Sequence, residues 1–514
     1  MAPEYPELDR LPLRSRESVA RAAASGRLRA VRWQQGVLLA ILIAIGLAGS
    51  GGYFESFELT YPASLLLIAV IVWNFYSWHS LGRRWFEPYA LFLLAACLFN
   101  GGQALLEPFG LNPGGMLSSR VSPGLCAEAL YLVALGLTAL HFGALAALLP
   151  TDNRQVLRTP VAATPSRLRA LRIVGFICMG AAFIPMTLLL RDTMTTSLNQ
   201  GYMGLYGRAS EEGIHGPIQA VASFMISGAM FLAAGSRKKR LPLTIAVTFV
   251  LAYAAVMFIS GSRSPAAMLM ISFAWVYERS VRRLPRVAIL AGGLCLLLIL
   301  PVVGALRDTP GLWQDPVRLF KEGFQAQDNP FTAVVSEMGG SLATVAYTIG
   351  LIPSVRPFDY GASYFYAAST IIPNVGWDTH PAIAHGFLAD WLIKTVDPTL
   401  AARGGGLGYS FIAEAFANVG WYGSVPLLVG LGYLLMRLFR WGTDTNDCAR
   451  HAVIGTFLAF FLLFARGESN TVVRSLAWYS LLPYLAVSAI ARTSRARGKL
   501  YEWSPYADRR ITCK

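Results

Sequence analysis

Residues 242–277 read PLTIAVTFVLAYAAVMFISGSRSPAAMLMISFAWVY. Two apolar runs, at about 242–260 and 264–277, are separated only by the turn Gly261-Ser262-Arg263-Ser264. A helix rises about 1.5 Å per residue, so about 20 apolar residues cross the hydrocarbon core of a bilayer. The stretch therefore predicts a membrane hairpin, and its turn places Arg263 at the membrane edge.

Apolar runs of this kind recur along all 514 residues, of which 54% are hydrophobic and 14% charged, with a mean hydropathy of +0.48. A soluble domain carries about 25% charged residues. The sequence therefore predicts an all-α, polytopic integral membrane protein with about twelve transmembrane helices. The predicted spans are 35–52, 62–80, 88–106, 123–148, 173–190, 216–235, 242–260, 264–277, 287–305, 417–438, 451–465 and 475–491.

The basic residues predict the orientation of these spans. With the N-terminus in the cytoplasm, 32 of the 44 Lys and Arg residues lie in the N-terminal tail, the inside loops and the C-terminal tail. Every predicted inside segment is basic, as the positive-inside rule requires. We therefore predict an inner-membrane protein with both termini in the cytoplasm. The net charge of +15 then reflects membrane topology, and no nucleic-acid partner is predicted.

The predicted organisation is a basic cytoplasmic tail (1–34), nine spans (35–305), a long periplasmic loop (306–416), three more spans (417–491) and a second basic tail (492–514). A loop of about a hundred residues is usually functional. Its apolar stretches, such as those at 331–351 and 382–393, are interrupted by Pro and Gly. They predict short helices packed against the membrane surface.

Twelve cations remain on the predicted outer side, and ten of them are arginines. The planar guanidinium matches phosphate oxygens, although exposed arginines are often only solvated or in contact with lipid headgroups. Charge near the apolar zone costs about 2.5–3.5 kcal/mol at a helix centre and usually has a function. Arg263 and Arg466, each between two spans, are therefore predicted catalytic residues, and anchoring at the membrane interface by snorkelling is the alternative. Candidate residues that bind pyrophosphate or glycan are Arg474, Arg403, Arg208 and Arg356.

The segment that re-enters the membrane, 402–423, contains four glycines within residues 404–408. Such a backbone can approach a ligand closely. Ser410, Glu414 and Asn418 follow at i, i+4 and i+8, on one face of a helix. Glu414 is a candidate general base, with a salt bridge or a helix N-terminal charge as the structural alternatives. Tyr409 is a candidate substrate contact.

His380 and His385 are candidates for a general base or a sugar contact, and ordinary loop histidines are the alternative. Their i, i+5 spacing does not place them on one helical face. The six cysteines include no CxxC pair and no Cys/His ligand spacing. We therefore predict no disulfide and no structural zinc. The sequence has no Walker loop, no Rossmann fingerprint and no Asp-x-Asp pair at the predicted outer surface, so no cofactor and no other metal site is predicted.

These motifs resemble the bacterial O-antigen polymerases of the Wzy type. The resemblance rests on Gly261-Ser262-Arg263-Ser264, the long late loop, the segment from Gly406 through Ser410 and Glu414 to Gly423, and Arg466-Gly467. It implies a metal-independent glycosyltransferase of GT-C-type architecture, with a large helical periplasmic loop. The donor would be a glycan on undecaprenyl pyrophosphate, and the acceptor a lipid-linked repeat unit.

The resemblance also implies a chain-length regulator as a possible protein partner. An O-antigen ligase that transfers glycan to the lipid A core is the first alternative. The Arg-x-x-His-Asn motif of the ligase branch is missing here, which disfavours it. A flippase for lipid-linked oligosaccharides is the alternative from another class. A flippase would carry charges at mid-membrane on several spans and short loops on both sides.

Overall fold

The computed structural model describes residues 13–49, 59–112, 121–149, 164–202, 204–205, 215–237, 239–308, 315, 317–318, 321, 330–374 and 376–502. Among these residues every regular element is helical, as the apolar periodicity predicts.

The α-helices are numbered in chain order. They are α1 (Leu13–Gly49), α2 (Thr60–Ser80), α3 (Pro88–Leu106), α4 (Pro123–Ala147), α5 (Pro165–Gln200), α6 (His215–Ala222), α7 (Phe224–Ala234), α8 (Arg240–Ile259), α9 (Arg263–Ser280), α10 (Arg286–Asp308), α11 (Pro330–Met338), α12 (Ser341–Leu351), α13 (Ala362–Ser369), α14 (Pro381–His385), α15 (Leu388–Val396), α16 (Pro398–Ala402), α17 (Phe411–Thr443), α18 (Cys448–Phe461), α19 (Asn470–Arg474) and α20 (Leu482–Glu502). A 3-10 segment, Leu462–Arg466, follows α18, and a π-helical segment, Ser475–Leu481, joins α19 to α20.

Ten helices in the described part of the chain are long and apolar enough to cross a membrane. They correspond to ten of the twelve predicted spans. The other two predicted spans are also helical: 264–277 lies in α9, and 475–491 lies in the π-helical segment and α20. The chain is thus a multi-pass membrane protein, and the count of twelve remains a prediction.

Helix α4 is the centre of the bundle, because most of its residues are buried against α17, α2, α12 and α1. Its crossing with α17 is very close. A Cβ atom on Gly432 would lie 2.0 Å from the backbone oxygen of Leu140, and one on Gly143 would lie 1.9 Å from that of Val429. Small residues allow membrane helices to approach in this way. The two glycines therefore set the spacing of the helices that carry the site.

The basic segments that flank the helices gather at one end of the bundle, called here the basic end. Arg84 lies 3.6 Å from Glu278, and Arg167 lies 2.6 Å from Asp447. Arg440 donates to the last-turn carbonyl of α4. At the opposite end, called the loop end, α9 and α17 begin and α18 ends. The sequence prediction places the basic end in the cytoplasm.

The apolar stretches of the predicted outer loop are helical, as α11, α12, α14 and α15. Helix α12, however, is not a surface helix: its residues 341–346 are buried, and it packs on α4, α17 and α3. A Cβ atom on Gly102 of α3 would lie 2.5 Å from the backbone oxygen of Val335 in α11. The expectation of surface helices is therefore wrong for α12, which belongs to the helical core.

Candidate functional site

Helix α17 begins at the loop end with a shared polar cap. The Oγ of Ser410 accepts a hydrogen bond from the backbone N–H of Ile412 at 3.1 Å, as N-cap residues do. The same hydroxyl donates to Oδ1 of Asn100 at 2.6 Å, and Nδ2 of Asn100 donates to the carbonyl of Ala465 at 2.8 Å. These bonds fix the start of α17 against α3 and the segment that follows α18.

Glu414 lies one turn into α17, with 1% of its surface exposed. Its Oε1 accepts from Ser363 Oγ at 3.0 Å and from Ser469 Oγ at 2.6 Å. Its Oε2 accepts from the backbone N–H of Ser469 at 2.8 Å. Burial of a carboxylate is tolerated only when such donors compensate for lost hydration. Glu414 therefore joins α17 to α13 and to the segment between the last helices.

Asn418 extends the same network one turn further along α17. Its Nδ2 donates to Ser363 Oγ and to the carbonyl of Glu414, both at 2.8 Å. Its Oδ1 accepts from the backbone N–H of Gly361 at 2.7 Å. The three polar residues that the sequence places on one face, Ser410, Glu414 and Asn418, are thus all engaged in buried hydrogen bonds.

A break in α17 gives the preceding loop a docking edge. Gly420 has φ 69°, a conformation that favours glycine, and it interrupts the helical hydrogen bonds. The carbonyls of Ala417 and Asn418 accept instead from the backbone N–H groups of Asp359 and Tyr360, both at 2.9 Å. Residues 359–361 therefore lie directly beside the Glu414 network.

Glu468 is a second buried carboxylate at the loop end. Its two oxygens accept from the backbone N–H groups of Leu388 at 3.0 Å and Ala389 at 3.2 Å, at the start of α15. Burial raises the pKa of Glu468 to about 7, although these two hydrogen bonds oppose the rise. Burial also raises the pKa of Tyr409, whose hydroxyl lies 3.2 Å from Thr348 Oγ1. Glu468 is 5% exposed and Tyr409 is fully buried, so water has little access to this part of the loop end.

The two predicted catalytic arginines differ in their surroundings. Arg263 forms an ion pair of 2.9 Å with Glu337 on α11. The guanidinium of Arg466 is partly buried and has no hydrogen bond or ion pair to any residue in the described ranges. A Cβ atom on Gly408 would lie 2.8 Å from Arg466 Nε, and the backbone carbonyl of Arg466 accepts from Tyr409. Helix α9 contacts the 3-10 segment that ends at Arg466.

The remaining predicted arginines are spread more widely. Arg403 is exposed in the turn after α16. The Arg474 guanidinium lies 5.3 Å from the centre of the Trp478 ring. Arg208 lies outside the described residues. Arg403 and Arg474 remain predictions as substrate contacts.

The two loop histidines are held in different ways. His380 is 7% exposed and caps α14: its Nδ1 accepts from the backbone N–H of Ala382, and its Nε2 donates to the carbonyl of Ile372, both at 3.1 Å. His385 stacks on Tyr366, with ring centres 4.3 Å apart and planes 18° apart. Only His380 therefore has both ring nitrogens occupied by backbone groups.

Arg356 and Asp359 form an ion pair next to His385. The Arg356 Nη2 lies 2.9 Å from Asp359 Oδ1, and its guanidinium lies over the Trp391 ring at 5.2 Å. The other carboxylate oxygen, Asp359 Oδ2, faces His385 Nε2 at 3.5 Å. The predicted residues Arg356 and His385 are thus brought together by an aspartate that the sequence analysis did not single out.

Sequence reasoning also missed Asn100, Ser363, Glu468 and Ser469, all of which form buried hydrogen bonds at the loop end. Only the last two had an available signal, since they follow Arg466-Gly467 directly between two apolar helices. Asn100 lies in an apolar helix and Ser363 in a short loop helix. Their importance depends on contacts with distant segments.

The family model described as O-antigen polysaccharide polymerase Wzy matches residues 37–496. No curated protein and no solved structure matches the chain. The matched range includes every candidate residue discussed above.

Proposed function

Because the chain belongs to the O-antigen polysaccharide polymerase Wzy family, we propose that it lengthens a glycan carried on undecaprenyl pyrophosphate. Membership makes it a membrane-embedded, glycosyltransferase-type polymerase of O-antigen synthesis. In the proposed reaction, a hydroxyl of one lipid-linked repeat unit attacks the anomeric carbon of the growing chain. The sugar–phosphate bond breaks, and undecaprenyl pyrophosphate leaves.

The observation that carries this proposal is the Arg466 side chain beside the glycine-rich turn at Gly408, because no residue of the described ranges forms an ion pair or hydrogen bond with its guanidinium. A partly buried arginine without a carboxylate partner is available to bind an anion, and its fork fits a phosphate in a bidentate way. Stabilising negative charge on the leaving group is often the largest catalytic term in group transfer. We assign this role to Arg466, with Arg263 contributing from α9.

The proposal also places the reaction at the loop end, on the periplasmic face, with both termini in the cytoplasm. The supporting observation is the collection of basic segments at the opposite end of the bundle. The energy comes from the sugar–pyrophosphate bond, so no nucleotide, metal or other cofactor is assigned. A chain-length regulator is proposed as a partner through the family alone.

Glu414 receives a positioning role in this scheme. Its carboxylate holds both the backbone and the side chain of Ser469, three residues after Arg466. The same carboxylate binds Ser363 at the start of α13. Glu414 therefore fixes the segment that presents Arg466 against the loop helices, which would face the glycan.

The test uses purified protein in nanodiscs with undecaprenyl-pyrophosphate-linked repeat units, and chain lengthening is followed as a ladder of glycan sizes. We expect a ladder in the presence of a metal chelator. Arg466→Ala should slow chain extension about 100-fold or more, as loss of a charge-stabilising donor does. Arg191→Ala, which removes an exposed cation from α5, serves as the matched control.

Absence of any ladder from the wild-type protein with these substrates would refute the polymerase assignment. Transfer of the glycan to added lipid A core, in place of extension, would support the ligase alternative. If Arg466→Ala extends chains at the wild-type rate at equal protein amount, this arginine does not stabilise the leaving group.

A further inference from the structure

The chemistry of the proposed polymerase needs a group that accepts the proton of the attacking hydroxyl. We propose that His385 is this general base, and that Asp359 is the positioning residue that orients it. This inference rests on the proposed function and adds the proton acceptor to it. It follows from a comparison of the hydrogen bonds already made by the three candidate bases, Glu414, His380 and His385.

Two of those candidates are already occupied. The Glu414 carboxylate accepts three hydrogen bonds and is 1% exposed, so a sugar hydroxyl has no access to it. Nδ1 of His380 accepts from a backbone N–H, which requires its lone pair, and Nε2 donates to a carbonyl, which requires its proton. Glu414 is therefore closed to a substrate by burial, and His380 by the occupation of both ring nitrogens.

His385 differs from these two residues in its exposure and in the hydrogen bonding of its ring nitrogens. Its side chain is 20% exposed, and no residue in the described ranges forms a hydrogen bond with its Nδ1. Its Nε2 faces Asp359 Oδ2 at 3.5 Å, and both atoms are buried with no hydrogen-bond partner among the residues that the structure describes. Catalytic hydrogen bonds in ligand-free structures are often long and tighten when substrate binds.

The surroundings of Asp359 fix this arrangement. Arg356 Nη2 donates to the other carboxylate oxygen, Asp359 Oδ1, at 2.9 Å, and so holds the carboxylate in its orientation. Tyr366 stacks on the imidazole and restrains its ring plane. The backbone N–H of Asp359 bonds to Ala417 of α17, within one turn of Glu414. The pair is thus anchored to the helix that organises the site.

The proton balance of the step is simple. Asp359 favours the tautomer with a proton on Nε2, which leaves a lone pair on Nδ1. As the acceptor oxygen forms its bond to the anomeric carbon, its proton moves to Nδ1. The bond from that carbon to the phosphate oxygen breaks, and its electron pair leaves with undecaprenyl pyrophosphate. The imidazolium, stabilised by Asp359, then returns its proton to solvent.

The experiment compares His385→Ala, Asp359→Asn and the control His79→Ala, an exposed histidine at the basic end. Each protein is assayed in nanodiscs with undecaprenyl-pyrophosphate-linked repeat units, for binding affinity and for the rate of chain extension. We expect His385→Ala to lower the rate about 100-fold or more at unchanged affinity. Added imidazole should restore part of that activity. Asp359→Asn should lower kcat and leave KM unchanged.

Chain extension by His385→Ala at the wild-type rate would overturn the inference and leave the polymerase assignment intact. So would loss of substrate affinity or of thermal stability without rescue by imidazole, because either result makes His385 a binding or structural residue. An inactive wild-type protein would instead refute the proposed function. Equal kcat for Asp359→Asn and the wild type would remove the positioning role.

Discussion

Replacing Glu414 is the sharpest test of the buried network. Glu414→Ala deprives three donors of their acceptor: the hydroxyls of Ser363 and Ser469, and the backbone N–H of Ser469. The hydroxyls can rotate toward other acceptors, but the backbone N–H cannot. A buried donor left unpaired costs about 1–3 kcal/mol. The empty side-chain volume adds a cavity term, so we expect a loss of about 3 kcal/mol.

Glu414→Gln keeps the side-chain volume and changes only the hydrogen-bonding groups, so it separates the loss of acceptors from the creation of a cavity. The amide has one oxygen, and two of the three donors converge on the Oε1 position. An amide oxygen placed there leaves the NH2 group facing the Ser469 N–H, so at least one hydrogen bond is lost. We expect a loss of about 1–2 kcal/mol, smaller than that of the alanine variant.

The assay is thermal unfolding of the purified protein in nanodiscs, together with the glycan ladder. Unfolding temperature should fall in the order wild type, Glu414→Gln, Glu414→Ala. Ladder extension should fall in the same order, because Glu414 positions the segment that carries Arg466. Asp378→Asn, an exposed carboxylate in the loop after α13, is the control. Unchanged unfolding of Glu414→Ala would refute the network argument.

Three further predictions concern other parts of the loop end and the core. Gly432→Ala should destabilise the protein by about 1–3 kcal/mol or more, because its Cβ would meet a backbone carbonyl of α4 at 2.0 Å, whereas Gly430→Ala has open space and should be neutral in the same thermal assay. Gly408→Ala should reduce chain extension, measured as kcat, since its φ of 73° disfavours alanine and the added methyl would displace Arg466. Burial raises the pKa of Glu468 from 4.5 to about 7, so its contribution to stability is fully present below pH 4.5 and is lost as the pH rises through about 7. Denaturation of wild type and Glu468→Gln across that range should show this pH-dependent difference, and parallel curves would contradict it.

The helices of the bundle follow from local sequence. The hairpin predicted at 242–277 appears as α8 and α9, because apolar length and the glycine turn are local properties. The burial of α12 could not be predicted in this way. An apolar stretch of 11 residues fits a surface helix and a core helix equally well, and only its contacts with α4 and α17 decide between them.

The candidate site was predictable only where its residues share one helix. The spacing of Ser410, Glu414 and Asn418 reveals their common face, but the partners of Glu414 lie 51 and 55 residues away along the chain. Asp359 could not be predicted either, because its proposed role depends on its position opposite His385 in the fold. No sequence spacing predicts such pairs, because loop residues have no fixed periodicity.

Arg263 and Arg466 look equivalent in the sequence, and only their contacts in the fold distinguish them. In the sequence both are arginines in short turns between apolar helices, and both fit an anion site equally well. In the fold, Arg263 already pairs with Glu337 of α11, whose side chain is 43% exposed to solvent. A phosphate that binds Arg263 must therefore compete with this carboxylate. Arg466 faces no such competitor among the described residues. An exposed ion pair is worth about 0–1 kcal/mol, so a bound pyrophosphate with two or more charges can replace Glu337. Under the proposed function, Arg466 would therefore bind the pyrophosphate directly, whereas Arg263 would do so only after the substrate displaces Glu337.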